Sequence, residues 1–323
     1  LRWFRNYFMN DTNIGFVGLG NVGFKVANNI ISNGYKLYVH DLDEKKSKNL
    51  VSKGAIFCKS IEELIPKVTV LITCLPSPKS VKEVLLKSLP KLNQTHLWIE
   101  MSTTDEKDMK YLSNLVLDKN AEVLEAPITG GQHRAESGNI SILVGGTRES
   151  FKRSFPILSC IGHQILHCGE IGKASTLKVV TNYLASINLL ALGEALMVCK
   201  KYGIDLKTAF EGIKISSGNS FVHETESQVI LNGSYDVGFT MDLVCKDVGL
   251  FDKLTKDYQI PAEISSLMLD IFQRGRDKLG DRALSTSIVK ILEEQCNERL
   301  RADGFPSILE DEHEKQNAKE III

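Results

Sequence analysis

Between two short apolar runs, residues 13–17 and 35–40, the chain carries Gly18-Leu19-Gly20-Asn21-Val22-Gly23 and then a segment of helical period; the second run stops at Asp41. Few folds accommodate such a strand, glycine turn, helix and strand. The first glycine permits a tight turn, the second lets backbone amides approach a pyrophosphate, and the third lets helix and strand pack closely. The phosphate then sits on a helix N-terminus. With 24 glycines in 323 residues the spacing alone is weak, and the flanking strands and the acid give it meaning. A carboxylate at Asp41 accepts hydrogen bonds from a ribose diol and repels a 2′-phosphate, and residues 42–44 offer no arginine to receive one. The expected cofactor is therefore NAD, with NADP disfavoured, bound by Gly18, Leu19, Gly20, Asn21, Val22, Gly23 and Asp41.

The rest of the composition excludes other classes. Thirty-nine basic and 40 acidic residues are intermixed for a net charge of −1, so no electrostatic footprint for nucleic acid or an anionic membrane is visible. Seven scattered cysteines fit reduced thiols without a disulfide. Cys160, His163, His167 and Cys168 lie close together, but residues 163–168 read as a strand and lack finger-type spacing, so no metal is expected. The longest apolar stretch, 179–198, is interrupted by Asn182, Ser186, Asn188 and Glu194, which makes it a buried helix rather than a membrane span. Residues 1–8 hold two arginines, four aromatics and no acid, and precede Met9. They read either as upstream of a start at Met9, with a cytoplasmic chain, or as the remnant of a mitochondrial leader.

Apolar runs of strand length recur at 13–17, 36–39, 55–58, 68–75, 96–101, 121–126, 140–144 and 163–168, with helical segments between the earlier ones. That alternation predicts a doubly wound α/β domain with a parallel sheet and helices on both faces. After Gly172 the pattern turns helical, at about 174–202, 205–216, 239–257, 261–275 and 284–299. The expected division is an NAD-binding Rossmann domain over 12–172, a long interdomain helix over 173–202, an all-helical domain over 203–305, and a disordered charged tail over 306–323. The long helix is apolar on too many sides for a solvated face, so a homodimer or homotetramer is expected.

Three further segments carry chemistry. Glu125-Ala-Pro-Ile-Thr-Gly-Gly131 ends a strand in paired glycines whose amides, with the Thr129 hydroxyl, can turn toward one anion such as a carboxylate; a plain turn is the alternative. Lys178 and Asn182 stand four apart and so share a helix face, and the apolar neighbours Leu177, Val179 and Val180 desolvate the lysine, which moves an ammonium toward general acid/base work unless it only snorkels. Lys246-Asp247 on a later helix is either a surface couple or a second cation for an anionic substrate.

These segments together resemble the β-hydroxyacid dehydrogenase family, in particular its 3-hydroxyisobutyrate dehydrogenase-like members. The resemblance spans about residues 12–300 and includes Cys74-Leu75-Pro76 and Ser102-Thr103, which look like the family's cofactor loops. It implies Lys178 as catalytic acid/base with Asn182 as helper. It implies Ser102, Thr129, Gly130, Gly131 and Lys246 at the substrate, and Leu75, Pro76, Thr103, Lys246 and Asp247 at the cofactor. The implied reaction is hydride transfer between NAD and a short 3-hydroxy acid. A semialdehyde or glyoxylate reductase and a catalytically silent dinucleotide-binding module are the alternatives. Imine reductases share the architecture without a lysine at this position. Departures are Glu125 for Asp, Thr129 for Ser, Ala174 for Gly, Thr181 for Asn, and Gln132-His133-Arg134 after the glycines, the last of which suit a larger or more acidic substrate.

Overall fold

The computed structural model describes residues 12–323, so the readings placed on residues 1–8 and on Met9 lie outside the described residues. The chain forms two compact units. One runs to Lys178 and also includes Asp311–Ile323; the other is Val179–Glu310.

The first unit is built on one sheet. Strands β1 (Asn13–Val17), β2 (Lys36–His40), β3 (Ile56–Phe57), β4 (Val70–Thr73), β5 (Leu97–Glu100) and β6 (Glu122–Glu125) alternate with helices and pair in parallel in the order β6-β5-β4-β1-β2-β3. Side chains alternate between two cores. Ile14, Phe16, Leu37, Val39, Ile72 and Ile99 belong to one, and Val17, Tyr38, Leu71 and Trp98 to the other. Burial on both faces explains why the strands read as continuous apolar runs. Strand order reverses between β1 and β4, and the crevice at such a reversal is where doubly wound sheets bind ligands.

Beyond β6 the sheet departs from the expected all-parallel form. β7 (Ile128–Thr129) and β8 (Ile140–Gly146) pair antiparallel, and β8 also runs antiparallel to β6. The link after β6 is a turn and the helix Gly131–Ser137 rather than a crossover, so the chain returns in the opposite sense. β9 (Gly162–Gly169) follows the helix Arg148–Ile161 and is parallel to β8.

Where charge predicts a disordered tail over 306–323, the structure places β10 (Lys319–Ile321) in parallel register on β9, Lys319 opposite Gln164 and Ile321 opposite Leu166. The correction has a simple cause: an edge strand offers unpaired backbone groups whatever the side chains of the added strand. The charged side chains find partners, Arg148 Nη1 lying 2.6 Å from Glu320 Oε1.

The long helix Lys173–Tyr202 begins in the first unit and continues into the second, where Leu196 packs with Phe210, Ile230, Leu231, Tyr235 and Phe272. Helices Leu206–Lys214, Met241–Asp257, Glu263–Leu279 and Val289–Cys296 fall where periodicity places them. Phe221–Asn232 is an additional helix. Its apolar residues bunch at its ends and hide the period, but its limits are marked by Ser220, whose hydroxyl accepts from His223 N, and by Gly233 at φ +95°. Buried Glu293 accepts from Leu300 N at 2.8 Å and Tyr235 Oη at 2.5 Å and pairs with Arg301, which ties down the chain leaving the last helix.

Candidate active site

The three glycines of the first turn answer different demands. Gly18 has φ +100°, and a Cβ on it would stand 2.2 Å from Cys74 O, because the turn leaving β1 presses on the turn leaving β4. A Cβ on Gly23 would stand 2.0 Å from Gly18 O, so the helix Asn21–Ser32 starts in contact with that turn. Around Gly20 a Cβ would meet nothing within 4 Å. Gly20 is also the N-cap, with no side-chain cap hydrogen bond. Open backbone at a helix N-terminus, opened by Asn21 and Val22, fits a pyrophosphate.

Asp41 closes β2 and reaches back: Leu19 N donates to Oδ2 at 2.7 Å and Asp43 N to Oδ1 at 2.9 Å. Lys46 Nζ lies 3.3 Å from Oδ1, while Leu42 is 98% exposed. Lys46 stands just outside residues 42–44, where a cation is sought in the sequence, and only the turn Glu44–Ser47 brings it back to the carboxylate.

Two buried carboxylates, Glu100 and Glu125, face each other in the register of β5 and β6. Glu100 accepts from Ser102 N at 2.6 Å and from Thr73 Oγ1, which itself accepts from Trp98 Nε1 at 2.8 Å. Ser102 Oγ in turn accepts from Leu75 N at 2.8 Å. Glu100 and Ser102 thus hold together the two loops, Cys74-Leu75-Pro76 and Ser102-Thr103. Ser102, expected at the substrate, is only 4% exposed and acts as this brace. The sequence signal for Glu100 is an acid ending an otherwise apolar strand.

Glu125 accepts from Gly172 N and Ala174 N at 2.8 Å each and from Ser175 Oγ at 2.5 Å. Burial pushes its carboxyl pKa up against the effect of these hydrogen bonds. No room remains around it, since a Cβ on Gly145 would fall 2.2 Å from Oε1. Glu125 therefore fixes the first turn of the helix Lys173–Tyr202. Lys178 follows one turn later with its side chain buried, and helical spacing sets Asn182 on the same face.

Thr129 ends β7, and Gly130 and Gly131 follow at φ +120° and +85°, backbone that side chains rarely adopt. Arg134 Cδ would lie 3.3 Å from a Cβ on Gly130, and the His133 ring 2.9 Å from one on Gly131, so both side chains fold back over the glycines. Burial, and then the Arg134 cation, hold the His133 pKa down.

In the second unit Asn182 Nδ2 donates to Asp247 Oδ2 at 2.5 Å. Lys246 Nζ stands 2.8 Å from Asp247 Oδ1 as an ion pair that is not directed as a hydrogen bond. Asp247, which the resemblance puts at the cofactor, is buried and anchors Asn182 and Lys246. Of the His/Cys cluster, His163 Nδ1 meets Asn317 O at 3.0 Å and His167 Nε2 meets Gly146 O at 2.9 Å; among the described residues no group of His, Cys, Asp and Glu could hold a metal ion.

Two family models match the chain. One is the NAD binding domain of 6-phosphogluconate dehydrogenase, over residues 13–169, and the other the NAD-binding domain of NADP-dependent 3-hydroxyisobutyrate dehydrogenase, over residues 172–292. Neither reaches the tail. The 2-(hydroxymethyl)glutarate dehydrogenase of Eubacterium barkeri is 30% identical over 87% of this chain and 95% of its own length. The mitochondrial 3-hydroxyisobutyrate dehydrogenase of Drosophila melanogaster is 30% identical over 84% of this chain and 87% of its own. A solved Mycobacterium tuberculosis 3-hydroxyisobutyrate dehydrogenase with L-serine is 25% identical, with a TM-score of 0.79, covering 87% of this chain and 99% of that one.

Proposed function

The chain belongs to the 3-hydroxyisobutyrate dehydrogenase-like family of NAD(P)-dependent hydroxyacid dehydrogenases, and from that premise we propose that it oxidises, reversibly, the hydroxyl-bearing carbon of a short 3-hydroxy acid with NAD. The observation that carries the reading is Lys178, a buried lysine one turn into a helix whose start is fixed by Glu125.

Residues 18–23 hold the pyrophosphate and Asp41 the ribose diol, with Leu75, Pro76 and Thr103 flanking the dinucleotide. The bound nicotinamide supplies the hydride acceptor. Lys178 Nζ, as the neutral amine, takes the hydroxyl proton during oxidation, and as the ammonium returns it during reduction. Asn182, held by Asp247, orients the lysine or the hydroxyl, and Lys246 adds positive charge for an anionic substrate. Thr129, Gly130 and Gly131 receive the carboxylate. A buried, positioned lysine favours turnover over the silent-module alternative, and reduction of a semialdehyde is the same chemistry run backward.

The compounds in the names of the related proteins, 3-hydroxyisobutyrate, 2-(hydroxymethyl)glutarate and L-serine, share one grouping: a hydroxymethyl on the carbon next to a carboxylate. We take that grouping as the substrate class. Arg134 folded over Gly130 favours members with an acidic substituent. A second copy of the chain covers the exposed Leu184, Val198 and Tyr202 of the long helix, making a homodimer or homotetramer. The compartment is the cytoplasm or, if residues 1–8 are the remnant of a leader, the mitochondrion, as in the fruit-fly relative's name.

The test is turnover of these three acids and their semialdehydes with NAD and NADP, by the chain and by Lys178→Ala. The variant keeps its fold and cofactor affinity and loses about 10²–10⁴ in kcat, the range for a lost acid/base group. Turnover of one of these acids at full rate by Lys178→Ala refutes the mechanism.

A further inference from the structure

The tail is joined to the segment that carries Thr129, Gly130 and Gly131. Asn139, the residue before β8, is 7% exposed, and its side-chain amide is spent entirely on the tail. Nδ2 donates to Asp311 Oδ2 at 2.9 Å, Glu314 O at 3.0 Å and His313 O at 3.2 Å, and Oδ1 accepts from Gln316 N at 2.8 Å. Ser137 Oγ also donates to Asp311 Oδ2, at 2.6 Å. Lys315 Nζ donates to Gly138 O, and its chain fills the space where a Cβ on Gly138 would sit. Every one of these contacts falls on the last turn of the helix Gly131–Ser137 or the two residues after it.

The body of the segment is held by the first unit itself, Asn29 Nδ2 donating to Ala135 O at 2.7 Å and Lys25 Nζ pairing with Glu136 at 2.8 Å, so the tail adds its hold at the end of the segment, residues 137–139. Thr129 is paired to β8 only through Ile128↔Ile142 and Thr129↔Ser141, and the two residues after it hold positive φ. β8 rests on β9, and β9 on β10, so the tail grips the segment twice: directly at residues 137–139 and through the sheet.

We propose that residues 311–321 are a strap that positions the carboxylate-binding segment 129–139, so that Asn139 and Asp311 are positioning residues for substrate binding. The proposal rests on the carboxylate reading of Thr129, Gly130 and Gly131. Ordering those amides in advance removes an entropic cost from substrate binding, so losing the strap weakens binding without touching Lys178. The strap lies beyond residue 292, outside the residues matched by the family models.

The experiment compares the full chain with a chain ending at Glu310. Probes are 3-hydroxyisobutyrate, L-serine and 2-(hydroxymethyl)glutarate, together with NAD affinity and amide hydrogen exchange over 129–139. The shortened chain is expected to lose exchange protection there and to raise KM about tenfold or more, with kcat and NAD affinity within about threefold of the full chain. A synthetic 311–323 peptide at millimolar concentration, comparable with the effective concentration of a tethered segment, restores both. If the shortened chain does not fold, full-length Asn139→Leu is read in the same way. Unchanged exchange, unchanged KM, or a joint fall of kcat and NAD affinity overturns the strap. Thr129→Val in the full chain separates the two claims: if it leaves KM unchanged the carboxylate reading fails, while exchange over 129–139, which needs no substrate, still decides whether the strap orders the segment.

Discussion

Asp41 stands between two opposite demands. Its carboxylate holds Leu19 N in the glycine turn and suits a ribose diol, yet Lys46 stands 3.3 Å from it and would welcome a phosphate. A cation already neutralised by an adjacent carboxylate contributes little to a new anion, so the unmodified chain is expected to prefer NAD in steady-state kinetics. Replacing Asp41→Ser with Leu42→Arg frees Lys46 and adds a guanidinium at a 98% exposed position. The ratio of kcat/KM for NADP over NAD then rises by about 10² in steady-state kinetics. A chain that prefers NADP before any substitution contradicts this account of Asp41. The glycines and Asp41 were legible because their spacing is dictated by one ligand's shape. Glu100, Glu125 and Asn139 were not legible as site-building residues, because each has partners far away in sequence, Glu100 the Thr73 hydroxyl, Glu125 residues 172–175 and Asn139 residues 311–316.

Among the elements, the eight strands read from apolar runs are all present, since burial on both faces writes them plainly into composition. The two that composition does not announce are β7, with two residues, and β10, drawn from a charged run. Their stability lies in backbone pairing, which leaves no mark on side-chain pattern. The tail has a chemical signature of its own. Burial would raise the Asp311 carboxyl pKa, but hydrogen bonds from Ser137, Asn139 and His313 N outweigh it and bring it to about 2, below the ordinary 3.8. A carboxylate with a depressed pKa contributes stability that is fully present above its unfolded value and lost as pH falls through the folded one. Asp311→Asn should therefore lower the melting temperature at neutral pH, with the gap to the parent chain constant down to about pH 4 and closing toward pH 2. A gap independent of pH across that window would show that the charge on Asp311 does not hold the tail.

At the scale of the whole molecule, the long helix Lys173–Tyr202 has enough length and apolar character to cross a membrane, yet Leu189, Leu192, Leu196 and Met197 are spent in the core of the helical unit. Leu184, Val198 and Tyr202 remain 50%, 68% and 84% exposed. Apolar surface of that kind on one helix is the mark of a protein interface, so sedimentation at micromolar concentration should give a dimer or tetramer, and charged substitutions at Leu184 and Val198 should shift it toward monomer. A monomeric parent chain would end that expectation. The two-unit division places the boundary at Lys178, inside a helix that periodicity reads as a single element, because side-chain pattern records burial and not which body provides it.

The first unit is closed by residues that lie on the far side of the helical unit in sequence. During synthesis, everything from Val179 to Glu310 leaves the ribosome before the strap does, a delay on the order of ten seconds at ordinary elongation rates. Through that interval the nascent sheet ends at β9 with its outer backbone groups unpaired, a template for another chain to join. The growing polypeptide thus passes through a window in which its cofactor turn is already complete while its sheet edge is still open to aggregation, and a segment that emerges only after the helical unit is the one that shuts it.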